Sequence, residues 1–163
     1  MKETLSIGTW NVKGALSDPE RANTLADAIT ASNIDVLTLP DAWHEDSSES
    51  TPSSRELLVS PDDFAKRGYI ALASTFREDR PDDNFARYGF MTLVKETLGP
   101  EEYTELRLGE RPAHSVQLEL AGRALAFVGL YLNDQNEANR LAQLDDLYGY
   151  LEPVSDTPTI LAG

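Results

Sequence analysis

The most constraining feature of this sequence is a helix with clear boundary signals that stands between two strand-like segments. Residues 4–12 alternate apolar and polar side chains as a half-buried strand does, and residues 34–39 form a short apolar run typical of a covered strand. Asp18 followed by Pro19 predicts the start of a helix that ends near Ser32. Because strand, helix and strand follow one another so closely, we predict a βαβ unit with parallel strands, and with it an α/β fold.

The remainder of the chain supplies mainly strands. Their patterns lie at about residues 69–75, 87–94, 102–108, 114–121, 123–132 and 159–162. A short helix is predicted at 61–67 and an amphipathic one at 136–151, where leucines recur at helical spacing. The segment 41–63 is rich in serine, proline and acidic residues without periodicity, so we expect a long loop that is mobile over about residues 44–60.

Charge and composition exclude several classes of protein. The 163 residues include 28 acidic and 14 basic side chains, a net charge of −14, which disfavours tight non-specific binding to nucleic acid but leaves phosphate substrates open. The absence of cysteine excludes disulfide scaffolds and thiolate zinc sites, and His44 and His114 are too few for a multi-histidine metal site. No apolar run approaches the ~20 residues of a membrane span, and no secretory signal precedes the first strand, so we expect a cytoplasmic protein.

Three polar side chains follow predicted strands at the edge where ligands of open α/β sheets gather. Asn11 follows the first strand, Asp41 follows the second, and Tyr131 stands at the end of the strand at 123–132. Carboxylate and amide oxygens suit Mg²⁺, which keeps most of its waters and is held by one or two carboxylates plus substrate phosphate. Asn11 and Asp41 are therefore the candidate metal ligands, and Tyr131 is a candidate to hydrogen-bond a phosphate.

Each of these residues also has a structural interpretation that the sequence leaves open. Asn11 is suited to capping a turn, Asp41 follows a proline as turn aspartates often do, and a tyrosine on a hairpin strand often packs half-buried. Arg140 is expected on the solvated face of the helix at 136–151, in a local ion pair. His44 is expected in solvent, whereas His114 is expected to be structural.

Six segments, in order along the chain, resemble motifs of the endonuclease/exonuclease/phosphatase superfamily, which has the DNase I-like fold. They are 9–14 (TWNVKG), 34–41 (IDVLTLPD), 87–94 (RYGFMTLV), 127–134 (FVGLYLND), 139–144 (NRLAQL) and 157–163 (TPTILAG). Together they span essentially the whole chain. The resemblance implies a four-layer α/β sandwich, in which two mixed sheets lie face to face with helices outside.

The resemblance also implies roles for the three candidate residues. Asn11 matches the family asparagine that contacts the metal site and the scissile phosphate, and Tyr131 matches the tyrosine of the abasic-site endonuclease branch. Pro40 and Asp41 stand where the family has Gln and Glu, and that glutamate binds the divalent cation. An aspartate reaches roughly 1.5 Å less far, which is comparable to the displacements that cost catalysis about 100-fold. It nevertheless keeps a carboxylate where a cation needs one.

For the parent protein, the resemblance implies a metal-dependent phosphoesterase of nuclease or phosphatase type, with Mg²⁺ or Mn²⁺ as cofactor. Its substrate is expected to be a phosphodiester or phosphomonoester, in a small molecule or in nucleic acid. Two other hypotheses stay open. One is a degenerate, non-catalytic binding module, which the Pro40–Asp41 pair would explain, and the other is a half-domain that a second chain completes.

The family's next motif, Asp-x-Asn, is expected just beyond Gly163. In the family its aspartate orients the attacking water, and a later His-Asp pair stabilises the developing charge. We therefore expect residues 1–163 to be an incomplete domain without appreciable phosphoesterase activity of its own, even with millimolar Mg²⁺. We also expect self-association through an open sheet edge.

Overall fold

The fold is built from two β-sheets with helices on their outer faces. The computed structural model describes residues 4–46, 58–79, 85–133, 136–154 and 156–163. The strands in these ranges are β1 (Ile7–Thr9), β2 (Val36–Leu39), β3 (His44–Asp46), β4 (Tyr69–Asp79), β5 (Phe85–Lys95), β6 (Glu102–Leu108), β7 (Arg111–Leu120), β8 (Arg123–Gly129) and β9 (Thr159–Ala162). The helices are α1 (Ala22–Ser32), α2 (Pro61–Ala65) and α3 (Glu137–Leu151). None of the helices in the described ranges is long and apolar enough to cross a membrane.

The first sheet contains the predicted βαβ unit. β1 pairs in parallel with β2, and α1 connects them. β2 is antiparallel to β5, which pairs along its whole length with β4 on the other side. β3 also pairs with β5, with His44 opposite Tyr88. Because β4 covers one edge of β5, β2 and β3 share the other edge, and residues 40–43 form a break between them.

The second sheet has the strand order β6-β7-β8-β9. β8 and β9 are parallel, whereas the other neighbouring pairs are antiparallel. Both sheets are therefore mixed, as predicted.

Three apolar clusters lie between the layers. The first packs the first sheet against α1 and α2, the second fills the space between the sheets, and the third packs the second sheet against α3. Alternation along β2 explains this arrangement, since Leu37 belongs to the cluster beside α1 and its neighbour Val36 belongs to the cluster between the sheets. The predicted four-layer α/β sandwich is confirmed.

The two sheets approach each other closely at Gly129, the last residue of β8. A Cβ atom on Gly129 would lie 2.8 Å from the hydroxyl oxygens of both Thr38 and Thr92 in the first sheet. Any side chain would push the strands apart, because real Cβ atoms do not approach so near. Glycine therefore lets the end of β8, and the segment that leads to Tyr131, lie directly against the first sheet.

A buried chain of hydrogen bonds crosses between the sheets at His114, which is 2% exposed. Ser74 of β4 donates its hydroxyl proton to Glu105 of β6, so the His114 Nε2–H donates to Ser74 Oγ at 2.9 Å. His114 Nδ1 then accepts from Thr92 Oγ1 at 3.0 Å. Burial lowers the pKa of His114 to about 4. The ring is neutral and fully hydrogen-bonded, which agrees with the structural role predicted for it.

The structure departs from the predicted elements in the long loop. β3 falls inside the predicted loop 41–63, because backbone pairing with β5 does not require apolar side chains. His44 is half-buried and its ring stacks on Tyr88 at 5.3 Å between centroids, so the expectation that it lies in solvent is wrong. The predicted mobile segment falls mostly on residues 47–57, which lie outside the described residues.

Candidate functional site

The candidate site lies where the chain leaves β1 and β2. After β1 the backbone continues beside β2, and Trp10 N–H donates to the Thr38 carbonyl at 2.9 Å. Further on, Val12 N–H donates to the Pro40 carbonyl at 3.4 Å, and Gly14 N–H donates to the Asp41 carbonyl at 2.7 Å. The turn that starts at Asn11 is thus in direct backbone contact with the segment that carries Asp41.

Asn11 is exposed and makes a local turn. Its Oδ1 accepts a hydrogen bond from the Lys13 backbone N–H at 3.0 Å, and Lys13 has the left-handed φ of 49° that such a tight turn uses. The turn-capping interpretation is therefore correct for the oxygen. The same bond leaves the two Nδ2 hydrogens of Asn11 available to an external acceptor such as a phosphate oxygen.

Asp41 lies in the break between β2 and β3, with a left-handed φ of 51°. The break is held by β5, because Ala42 N–H donates to the Gly89 carbonyl and Gly89 N–H donates to the Trp43 carbonyl, both at 2.8 Å. The Trp43 ring occupies the space where a Cβ of Gly89 would be, so only glycine fits opposite it. This packing fixes the position of Asp41 at the end of β2.

The carboxylate of Asp41 is not satisfied by the part of the chain that the structure describes. Its Oδ1 is buried without a hydrogen-bond partner there, and so is Nε2 of His44. Burial raises the pKa of Asp41, while the charges of His44, Arg111 and Lys13 act in the opposite direction. The buried Oδ1 of Asp41, which has no donor among the described residues, is suited to an external ligand such as a cation.

Tyr131 lies two residues beyond the end of β8, outside the strand that the sequence predicts to reach 132. Its half-buried ring packs edge-on against Phe76 at 5.4 Å between centroids. The Arg111 guanidinium carbon lies 4.8 Å from the Tyr131 ring centroid and 4.3 Å from that of Phe76. These contacts hold the ring of Tyr131 in place by cation–π and aromatic packing.

Arg111 is the residue of this region that sequence reasoning missed. It is the first residue of β7 and is buried, it lies against Tyr131, and its charge acts on Asp41. Buried arginines are rare, and their presence beside a carboxylate and a phenol points to an electrostatic role. Its sequence context, a strand start after a glycine-containing turn, carries no signal of burial.

The structure brings Asn11 and Tyr131 to one cavity of about 490 Å³ at the ends of β1, β8 and β9. Asp41 does not line this cavity, although its neighbour Pro40 does. Arg111 interacts with both sides, since its charge acts on Asp41 and its guanidinium contacts the ring of Tyr131, which lines the cavity. Joint binding of one cation by Asn11 and Asp41 therefore stays a prediction.

A second cavity of about 340 Å³ lies on the other side of Asn11, against α1. Its wall includes Trp10, which is 49% exposed, and the buried side chain of Leu25. Asn11 is common to both cavities.

The described residues offer a hard divalent cation one carboxylate ligand, but not a full set of protein ligands. Within the described residues no three histidine, aspartate or glutamate side chains gather, so a site with several protein ligands is not formed by them. Mg²⁺, however, is typically held by one or two carboxylates with waters and substrate phosphate. The unpaired buried Oδ1 of Asp41 matches that donor set.

Comparison with known proteins gives the same family as the motifs. Residues 8–163 match the model of the Endonuclease/Exonuclease/phosphatase family. A search of curated proteins finds no match.

Solved structures match the fold at low sequence identity. An endonuclease/exonuclease/phosphatase family protein from Leptotrichia buccalis aligns with a TM-score of 0.65 at 12% identity, over 97% of this chain and 65% of that one. A mannosyl-6-phosphatase from Bacteroides thetaiotaomicron gives 0.64 at 13% identity, over 97% and 64%. The human Nocturnin catalytic domain gives 0.62 at 17% identity, over 96% and 62%.

This chain therefore spans less than two thirds of the length of each of these three structures. The likeness to them establishes the fold, and the match of the family model over residues 8–163 establishes the family. The chain belongs to the Endonuclease/Exonuclease/phosphatase family.

Proposed function

We propose that this chain carries the phosphate- and metal-binding part of a divalent-metal-dependent phosphoesterase. The observation that supports this most strongly is the buried Oδ1 of Asp41, which has no donor among the described residues. It lies at the end of β2, beside a turn that begins with Asn11. A folded protein rarely leaves a carboxylate oxygen buried and unpaired unless a ligand completes it.

In this proposal each of the three residues has a distinct task. Asp41 holds the cation, Asn11 donates from Nδ2 to a non-bridging phosphate oxygen, and the Tyr131 hydroxyl donates to the same phosphate. The buried charge of Arg111 holds the Tyr131 ring and limits the pKa increase that burial imposes on Asp41. When bound, Mg²⁺ or Mn²⁺ would polarise the phosphoryl oxygen and offset charge on the leaving group.

The substrate class that the chain favours is a small phosphate ester. A net charge of −14 repels a long polyanion, whereas a compact phosphate can enter a cavity of about 490 Å³. Among the similar structures, one is named a mannosyl-6-phosphatase, which agrees with a small phosphomonoester. Tyr131 is the feature that favours the nuclease branches instead.

The test is hydrolysis of two chromogenic esters, 4-nitrophenyl phosphate and bis(4-nitrophenyl) phosphate, by the protein as its gene encodes it. We expect hydrolysis in Mg²⁺ that EDTA abolishes, and a loss of more than about 100-fold in Asp41→Asn. Asp62→Asn is the matched control, because Asp62 is an exposed carboxylate on α2. Hydrolysis that survives both EDTA and Asp41→Asn would refute the proposal.

A non-catalytic binding module is a second candidate, which the replacement of Gln-Glu by Pro40–Asp41 favours. It predicts that the protein binds phosphate esters without turning them over. The double substitution Pro40→Gln with Asp41→Glu separates the two, because a degenerate site that has lost other groups stays inactive after the pair is restored. Activity gained in that variant would contradict the binding-module hypothesis.

A further inference from the structure

The cavity that Asn11 and Tyr131 line is also lined by a positively charged side chain. Of its described lining residues only Arg140 of α3 is charged, and the others are apolar or neutral and polar. The helical pattern predicts Arg140 on a solvated face, but its side chain is half-buried at the cavity. That expectation is wrong, because α3 packs against the second sheet through Leu147, and Arg140 lines the cavity together with Tyr131.

Arg140 is also free of protein partners in the part of the chain that the structure describes. Its side chain makes no hydrogen bond or ion pair there, in contrast to Arg67 and Arg107, which pair with Asp27 and Glu105. In a chain with 28 acidic and 14 basic residues, an arginine without an acidic partner is unexpected. The predicted local ion pair of Arg140 is therefore not found among the described residues.

The position of Arg140 relative to Tyr131 is fixed by two sets of hydrogen bonds. Asn136 caps α3, since its Oδ1 accepts from Asn139 N–H at 3.1 Å and its carbonyl accepts from Arg140 N–H at 3.0 Å. One turn further, Gln143 is 4% exposed and its Oε1 accepts from Asn133 N–H at 2.8 Å. Gln143 thus ties α3 to the segment that follows Tyr131, so the helix and the tyrosine are held together.

We propose that Arg140 is a substrate-binding residue, whose guanidinium binds the anionic oxygens of a phosphate group lying between Asn11 and Tyr131. A guanidinium presents a planar set of donors that matches phosphate oxygens and stays charged at all physiological pH values. Its local positive charge overcomes the repulsion expected from the acidic surface. Gln143 is a positioning residue, which acts by holding α3 against the Tyr131 segment.

This inference deepens the proposed function and rests on it for the identity of the substrate, but its test needs neither metal nor turnover. Inorganic phosphate is titrated into the 163-residue protein in the presence of EDTA, and backbone amide shifts are followed by NMR. We expect saturable shifts at Asn11, Tyr131 and Arg140. Arg140→Gln should weaken phosphate binding roughly tenfold to a hundredfold, and Arg140→Lys should weaken it less.

The matched control is Arg123→Gln, since Arg123 is an exposed arginine at the start of β8. It should bind phosphate like the wild type, and far-UV circular dichroism should show that all variants are folded. Gln143→Ala should also weaken phosphate binding, and its shifts should spread from α3 to Asn133. Equal affinity in wild type and Arg140→Gln, or no phosphate binding by the wild type, would overturn the proposal.

Failure of this inference and failure of the proposed function give different results. Phosphate binding that depends on Arg140, in a protein without metal-dependent hydrolysis, removes the phosphoesterase proposal and keeps the anion site. Hydrolysis that depends on Asp41, with KM and kcat unchanged in Arg140→Gln, keeps the phosphoesterase proposal and removes the anion site at Arg140. If both hold, Arg140→Gln raises KM for the ester more than it lowers kcat.

Discussion

The two histidines of this chain differ in how completely their ring nitrogens are hydrogen-bonded. Both ring nitrogens of His114 have partners, in Ser74 and Thr92, and the network closes on Glu105. Nε2 of His44 is buried without a partner among the described residues. Asp41, whose own Oδ1 is likewise unpaired there, lies within electrostatic reach of His44.

The difference separates a structural polar group from one prepared for a ligand. An unpaired buried polar group costs about 1–3 kcal/mol, so a chain that tolerates one at a strand end gains from a ligand that completes it. The Thr38 hydroxyl between the sheets is a third such atom, but it belongs to a neutral group with a smaller cost than a carboxylate. Completeness of hydrogen bonding, rather than residue type, distinguishes the two histidines.

The largest expected effect is on stability when the complete network is broken. His114→Ala should lower the free energy of unfolding by about 3–4 kcal/mol, because it leaves a cavity, removes a donor to Ser74 Oγ and leaves the Thr92 hydroxyl without its acceptor. His44→Ala should cost less than about 1 kcal/mol, since its Nε2 has no partner to lose in the described structure. Urea denaturation of both variants measures the contrast. Equal destabilisation would show that the two environments do not differ as described.

A somewhat smaller effect is expected from pH. The pKa of His114 is about 4 in the folded chain, against an ordinary value of 6.5, so the unfolded chain takes up a proton first as the pH falls. The free energy of unfolding should therefore be constant above about pH 6.5 with respect to this group and should fall by about 3 kcal/mol between pH 6.5 and 4.

The nearby charges modify this pH effect. Glu105 raises the pKa of His114 and Arg107 lowers it, but burial is the largest cause of the shift. A His114→Gln variant should lack this component of the pH dependence, so the measurement is the difference between the two stability curves. Curves that run parallel from pH 6.5 to pH 4 would mean that His114 does not titrate as expected.

The smallest expected effect on stability is that of a substitution at Asp41, whose Oδ1 has no hydrogen-bond partner among the described residues. Asp41→Asn should leave the metal-free protein unchanged in stability or stabilise it by up to about 1 kcal/mol, because it removes a buried charge without a donor. Asparagine also tolerates the left-handed φ of 51° at this position. Denaturation in EDTA measures the change. A loss of 2 kcal/mol or more (about what breaking a paired buried group costs) would mark Asp41 as a structural residue instead.

Most of the architecture follows from local signals in the sequence. The βαβ unit and α3 were predictable because alternation and helical spacing are properties of neighbouring residues. The predicted start of α1 at Asp18 and Pro19 was wrong, since α1 begins at Ala22. β3 was not predictable, since its sequence is polar and its pairing with β5 is made by the backbone, which needs no apolar pattern. The positions of Asn11, Asp41 and Tyr131 near strand ends were also predictable, although Tyr131 lies beyond β8 and not within the strand predicted to reach 132.

The parts of the site that were missed depend on contacts between distant segments. The burial of Arg111 comes from Phe76 and Tyr131, and the place of Arg140 at the cavity comes from the packing of α3 against the second sheet. Helical periodicity assigns Arg140 to a face of α3 without saying what that face meets. The ion pair of Arg67 was equally hidden, because its partner Asp27 is distant in the sequence.

The most direct measurement of the central claim is where a divalent cation binds this chain. Mn²⁺, which replaces Mg²⁺ in oxygen sites and broadens nearby NMR signals, is titrated into the wild type, Asp41→Asn and the control Asp62→Asn. The proposed site predicts broadening centred on Asn11, Asp41 and Tyr131 in the wild type and in Asp62→Asn, and at least a tenfold weaker effect in Asp41→Asn. Broadening centred elsewhere, or unchanged in Asp41→Asn, would contradict a metal site at the end of β2.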